Sequence, residues 1–223
     1  MTNRTLRLIL LVIIAVNLIM AIAAIFMYPP LFAMPHSYSY IVELGVMLLI
    51  NIVIVTLVTK FSTDRKILRV STFFGLMASQ LEIVHISIEN FGHLNAHAET
   101  VFTGIFMAVL FLIFGVSGFC ITIYKRKIVS GMWAGSWSAV VCMLIVMTFG
   151  LSQLFWSFEA LEKHDIGDPD FIRTGWSDMH AFVIADIFEA CFKVSFLGPI
   201  IGIVFGLLGA AIARLFISKK LEM

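Results

Sequence analysis

VFTGIFMAVLFLIFGVSGFCITIYKRK, residues 101–127, decides the fold. From Val101 to Tyr124 there is no charged side chain, and Lys125, Arg126 and Lys127 then follow in a row. A helix needs about 20 predominantly apolar residues to cross the hydrocarbon core of a bilayer. In lipid the backbone must satisfy its own hydrogen bonds, so such a run spans as a helix. The basic triplet marks where it meets water.

Working outward, similar runs cover residues 6–27, 41–59, 67–89, 132–155 and 195–217. The chain of 223 residues is 61% hydrophobic and 13% charged, with a mean hydropathy of +1.03. Soluble domains carry about 25% charged residues, so this apolar surface does not fit inside one water-soluble core. The expected fold is all-α: a polytopic bundle of six transmembrane helices in a single domain, 1–223. A polar loop at 159–178 and an amphipathic segment at 178–194 precede the last span. Arg4, Arg7 and Ala21-Ile-Ala-Ala24 give the N-terminus the look of a secretory signal peptide. Its apolar run is long enough to span, and it is expected to be the first helix. Cys120, Cys142 and Cys191 lack CxxC or CxxCH spacing and are expected to be small buried hydrophobes. The bilayer and other membrane subunits are the expected partners, with no nucleic acid.

Charge orients the bundle. Arg4 and Arg7 precede span 1, Lys60, Arg65, Lys66 and Arg69 lie between spans 2 and 3, and Lys125, Arg126 and Lys127 lie between spans 4 and 5. Arg214, Lys219 and Lys220 end the chain. Six spans bring all of these to one side, which the positive-inside rule makes cytoplasmic, with both termini. The other side collects Glu43, Glu82, Glu89, Glu99, Glu159, Glu162, Asp165, Asp168, Asp170, Asp178, Asp186 and Glu189, and all 6 histidines. Its only bases are Lys163, Arg173 and Lys193. An acidic, histidine-rich outer side attracts cations and offers them ligands.

The densest part of that side is residues 82–99, EIVHISIENFGHLNAHAE. At about 100° per residue, Glu82, His85, Glu89 and His93 fall within an arc of about 80° on a continuous helix. Glu82-x-x-His85 is the spacing by which di-iron bundles bring a carboxylate and an imidazole to one ion. Ionisable groups inside a span are costly and point to function. Glu43, Glu99, Asp186 and Glu189 are further candidate carboxylates. Gly92 and Asn95 predict a helix stop and a new N-cap, so that His93 and His97 flank a turn. The bland readings are a packed polar pair for Glu82–His85 and an exposed polar turn for His93–His97. Asp165, Asp168 and Asp170 invite a calcium reading but lack the EF-hand pattern, and the loop 159–178 is expected to cap the outer mouth. Trp133, Trp137, Trp156 and Trp176 are expected at interfaces. Glu189 and Lys193 have the spacing of an ion pair.

Glu89-Asn-Phe-Gly-His93, with Glu99 and Phe102 after it and Phe32-Ala-Met-Pro35-His36 before it, resembles the C subunit of the copper membrane monooxygenases over residues 31–125. Glu89 stands where that family has an asparagine, and Met107 where it has its distal histidine. The resemblance implies a copper-site scaffold within a multi-subunit oxygenase, with altered ligands.

These readings converge on a transition-metal site near the outer leaflet, with Glu82, His85, Glu89, His93 and His97 as ligands and His36 and His180 as outer partners. Copper or iron in a redox subunit oxidising a small or lipid-soluble substrate is the leading expectation, in a bacterial or archaeal cytoplasmic membrane. Three alternatives stand beside it: a metal-cation or proton-coupled transporter, a haem b or quinol-binding subunit with His85 facing His180, and a non-catalytic scaffold subunit.

Overall fold

The computed structural model describes residues 2–61, 64–92, 95–166, 169–173 and 175–221. His93 and Asp168, both candidates above, lie outside the described residues. The described chain is all helix: α1 (Asn3–Met27), a 3-10 turn at Pro29–Ala33, α2 (Ser37–Phe61), α3 (Arg65–Phe91), α4 (Ala96–Lys125), α5 (Ile128–Trp156), α6 (Phe158–Asp165), α7 (Pro169–Arg173) and α8 (Met179–Leu221). Six of these, α1 to α5 and α8, are long and apolar enough to cross a membrane. The chain is thus a polytopic helical membrane protein, and the outward faces of its spans contact lipid.

Local chemistry explains the boundaries. Asp64 caps α3 by accepting from the backbone N–H groups of Lys66 (2.9 Å) and Ile67 (3.3 Å). Asn95 caps α4, its side-chain oxygen 2.9 Å from the Ala98 nitrogen. Gly92 ends α3 in an extended conformation. α3 thus ends at Phe91 and α4 starts at Ala96, where Gly92 and Asn95 predict a stop and a start.

α5 is the axis of the bundle and packs against α1, α3, α4 and α8. It is the most buried span because it carries small residues where neighbours approach. Lipid gives helices no hydrophobic reason to associate, so close backbone approach and interhelical hydrogen bonds hold them together. Gly135 of α5 and Gly202 of α8 meet backbone to backbone, as do Gly118 of α4 and Gly206 of α8. A methyl group at Gly118 or Gly135 would run into a carbonyl oxygen of the facing helix, α8. Ser138 Oγ donates to the Ser71 carbonyl (2.9 Å) and lies 2.8 Å from Ser117 Oγ, joining α3, α4 and α5. Trp137 Nε1 donates to Thr72 Oγ1 (3.0 Å), and Asn17 Nδ2 donates to the Leu144 carbonyl (3.2 Å).

The amphipathic segment and the last span are one helix, α8, of 43 residues running through Pro199. At about 1.5 Å per residue it is about 65 Å long, twice the hydrocarbon thickness of about 30 Å. Its first turns bury Phe182, Val183, Ile184, Ala185 and Phe188 in the core. The tryptophans also divide: Trp133 and Trp156 are exposed, whereas Trp137 and Trp176 are buried in the core. Cys142 and Cys191 are buried as expected, while Cys120 is exposed.

The two ends of the bundle differ in charge. At one end Lys125 pairs with Asp64, the Lys66 ammonium lies 3.7 Å from the Tyr124 ring centroid, and Arg214 donates to the Arg126 carbonyl. At the other, α6 and the start of α8 close over the end of α1. There Tyr28 donates to Asp178 (2.6 Å), and His180 pairs with Glu162 (2.9 Å).

Candidate functional site

α3 carries the chemistry because its sequence places ionisable groups on the face it turns inward. Glu82 and His85 are 8% and 3% exposed, inside a span. His85 Nδ1 lies 3.4 Å from Glu82 Oε1, and its Nε2 lies 3.3 Å from Thr103 Oγ1 on α4. Phe106 stacks on the imidazole with centroids 5.4 Å apart, and Phe102 flanks it at 5.8 Å. The ring is therefore fixed on both nitrogens and shielded on its face. Glu82 is less satisfied: its Oε2 is buried and meets no hydrogen-bond partner. Buried polar atoms nearly always have one, so this oxygen is where the site is incomplete.

Glu82 also lines a cavity of about 150 Å³ between α3, α4, α5 and α8, beside Met107, Phe111, Met143 and Gly198. A second cavity, of about 350 Å³, opens between α3, α5 and α8 beneath α6. Its polar lining is Glu89, Asn90, Gln153, His164, Asp165 and Asp186, and its depth is apolar. Val146 and Val194 line both spaces and so form the wall between them. Gln153 is fully buried; it accepts from Asn90 Nδ2 (3.2 Å), while its own Nε2 meets no partner. An acidic antechamber thus lies one side-chain layer from a buried carboxylate–imidazole pair.

The other candidates lie apart from that pair. His180 is engaged by Glu162 and packed between Tyr28 and Phe158. His36 is exposed in a left-handed turn (φ 61°) before α2, and His97 is exposed in the first turn of α4. Glu189 is taken by Lys193 at 2.8 Å. Among the described residues no three His, Cys, Asp or Glu side chains gather closely enough to hold a metal ion. What comes together is a pair, with Glu89 one turn past His85 at the antechamber.

The cap formed by α6 and the start of α8 has electrostatics of its own. Burial pushes the Asp178 carboxyl up, but the Tyr28 hydroxyl and the backbone N–H groups of Ala181 and His180 outweigh this and hold it below the usual range. The same hydrogen bond to Asp178 raises Tyr28.

Sequence reasoning missed Thr103 and Gln153. Thr103 is an ordinary residue until α4 is laid against α3. Gln153 had a signal, being the one amide in an otherwise apolar run at 132–155. No family model matches the chain, and no curated protein or solved structure matches it either.

Proposed function

We propose that this protein carries protons across the membrane and that the Glu82–His85 pair is its proton-carrying element. The observation that carries the reading is the Glu82 carboxylate, buried in a span beside an imidazole with one oxygen unpartnered. Two groups of this kind suit a proton, which needs one acceptor at a time, better than a metal ion, which needs three or four ligands. Protons or other cations would enter from the acidic antechamber, where Glu89, Asp165 and Asp186 raise the local cation concentration. Loading requires Val146 and Val194 to part. The positive-inside pattern of the sequence would put this antechamber on the extracytoplasmic side.

The test is proton entry into proteoliposomes under an imposed potential, read with an internal pH dye. Wild type should acidify the lumen, and Glu82→Gln should fall to the level of protein-free vesicles. Equal rates in the two would overturn the reading.

A second reading is a copper or iron redox subunit, in line with the resemblance to copper monooxygenases. Its support is the chemistry of the neighbours: Met107 and Met143 line the same cavity as Glu82, and thioethers favour Cu(I). The donor set fits a metal only in part, since one carboxylate and one imidazole leave further positions to be filled. Elemental analysis of purified protein tests it: metal that is lost in His85→Ala supports this reading, and a metal-free wild type ends it.

A further inference from the structure

α2 and α3 follow one another in the chain yet do not pack along each other. α2 leans on α1 and α8, and α3 on α4 and α5. Between them lies a groove of about 460 Å³, lined by Val58 and Phe61 of α2, Ile67 and Leu68 of α3, and Trp133 and Trp137 of α5. The groove runs to the basic end of the bundle. Lys60 closes α2, and Arg65 and Lys66 open α3; all are exposed. Asp64, the acid at this junction, is already paired with Lys125. The mouth of the groove therefore keeps a net positive charge.

We propose that this groove holds an acyl chain of one anionic phospholipid whose phosphate rests on Lys60 and Arg65. An apolar gap between lipid-facing helices forfeits dispersion contacts on every wall if it stays empty, and bilayer acyl chains are at hand to fill it. Charge selects the lipid. Basic pockets between transmembrane helices bind anionic head groups, and an arginine guanidinium offers a phosphate two parallel donors. A zwitterionic lipid would fill the groove and bring a phosphate too, but its own ammonium would add a like charge beside the basic rim.

The test is native mass spectrometry of delipidated protein given equal amounts of phosphatidylglycerol and phosphatidylcholine with identical chains. Wild type should retain one phosphatidylglycerol in preference. Lys60→Gln/Arg65→Gln should lower that retention by about tenfold, toward the phosphatidylcholine level, because each basic residue near a head group contributes separately. Val58→Trp, which fills the groove and leaves the charges in place, should lower retention of both lipids. Equal retention of the two lipids by wild type would overturn the proposal, as would undiminished phosphatidylglycerol retention in either variant.

Discussion

His85 Nδ1 stands 3.4 Å from Glu82 Oε1, one helical turn away, and both side chains are buried inside α3. Breaking a buried pair by removing one partner costs about 3–5 kcal/mol, whereas replacing both is often neutral. His85→Leu should therefore destabilise the protein by about 3 kcal/mol. Glu82→Gln/His85→Leu should recover at least half of that loss. Reversible unfolding in mixed detergent measures both. Losses that simply add would mean that the two groups do not act as a pair.

The glycine contacts between spans predict a contrast. Gly118→Ala would push a methyl group into the Gly206 carbonyl oxygen on α8. Overpacking of this kind costs about 1–3 kcal/mol. Gly45→Ala on α2 meets nothing within 4 Å and should raise stability by about 0.5–1 kcal/mol, since alanine suits a helix interior better than glycine. A thermal shift series in detergent separates them, and equal shifts would contradict the close approach of α4 and α8.

Asp64 has two tasks that substitutions can split. It caps α3, and it pairs with Lys125. Asp64→Ala should lose about 1 kcal/mol for the cap alone, while Asp64→Asn should keep most of the cap and lose the ion pair. The Lys125 ammonium beside Asp64 holds its carboxyl below the usual carboxylate range. A carboxyl lowered by folding stabilises fully above its unfolded value and loses that contribution as pH falls through its folded value. Wild type should therefore lose stability on acidification more steeply than Asp64→Asn, as a pH series of unfolding midpoints will record.

Gln153 should matter to function more than to folding. Its Nε2 is buried without a partner at the edge of the antechamber, so Gln153→Leu removes an unmet donor as well as the acceptor used by Asn90. The two effects oppose, and stability should stay within about 1 kcal/mol of wild type. Proton entry into proteoliposomes should slow. Unchanged entry would take the antechamber out of the pathway.

The spans were legible because the bilayer imposes a length and a polarity that the run 101–127 displays openly. The end of α3 at Gly92 and the start of α4 at Asn95 were legible as well, being written in local cap chemistry. What was hidden depends on pairs far apart in sequence. Asn90 meets Gln153, Tyr28 meets Asp178, and His180 meets Glu162. An apolar span is hydrophobic all round, so its pattern does not separate the lipid face from the packed one. Trp137 read as an interface anchor for that reason, and Trp176 did so because its loop looked wholly solvated. Glu82 and His85 stood out only because charge is rare inside a span.

The central claim, that Glu82 takes up and releases protons, is tested most directly by infrared difference spectroscopy of its carboxyl stretch in wild type and Glu82→Gln. The account predicts a protonated-carboxyl band that shifts on exchange into heavy water, titrates with bulk pH while the protein stays folded, and is absent from the variant. A spectrum identical in the two proteins, or a Glu82 band that ignores pH and heavy water alike, would contradict it.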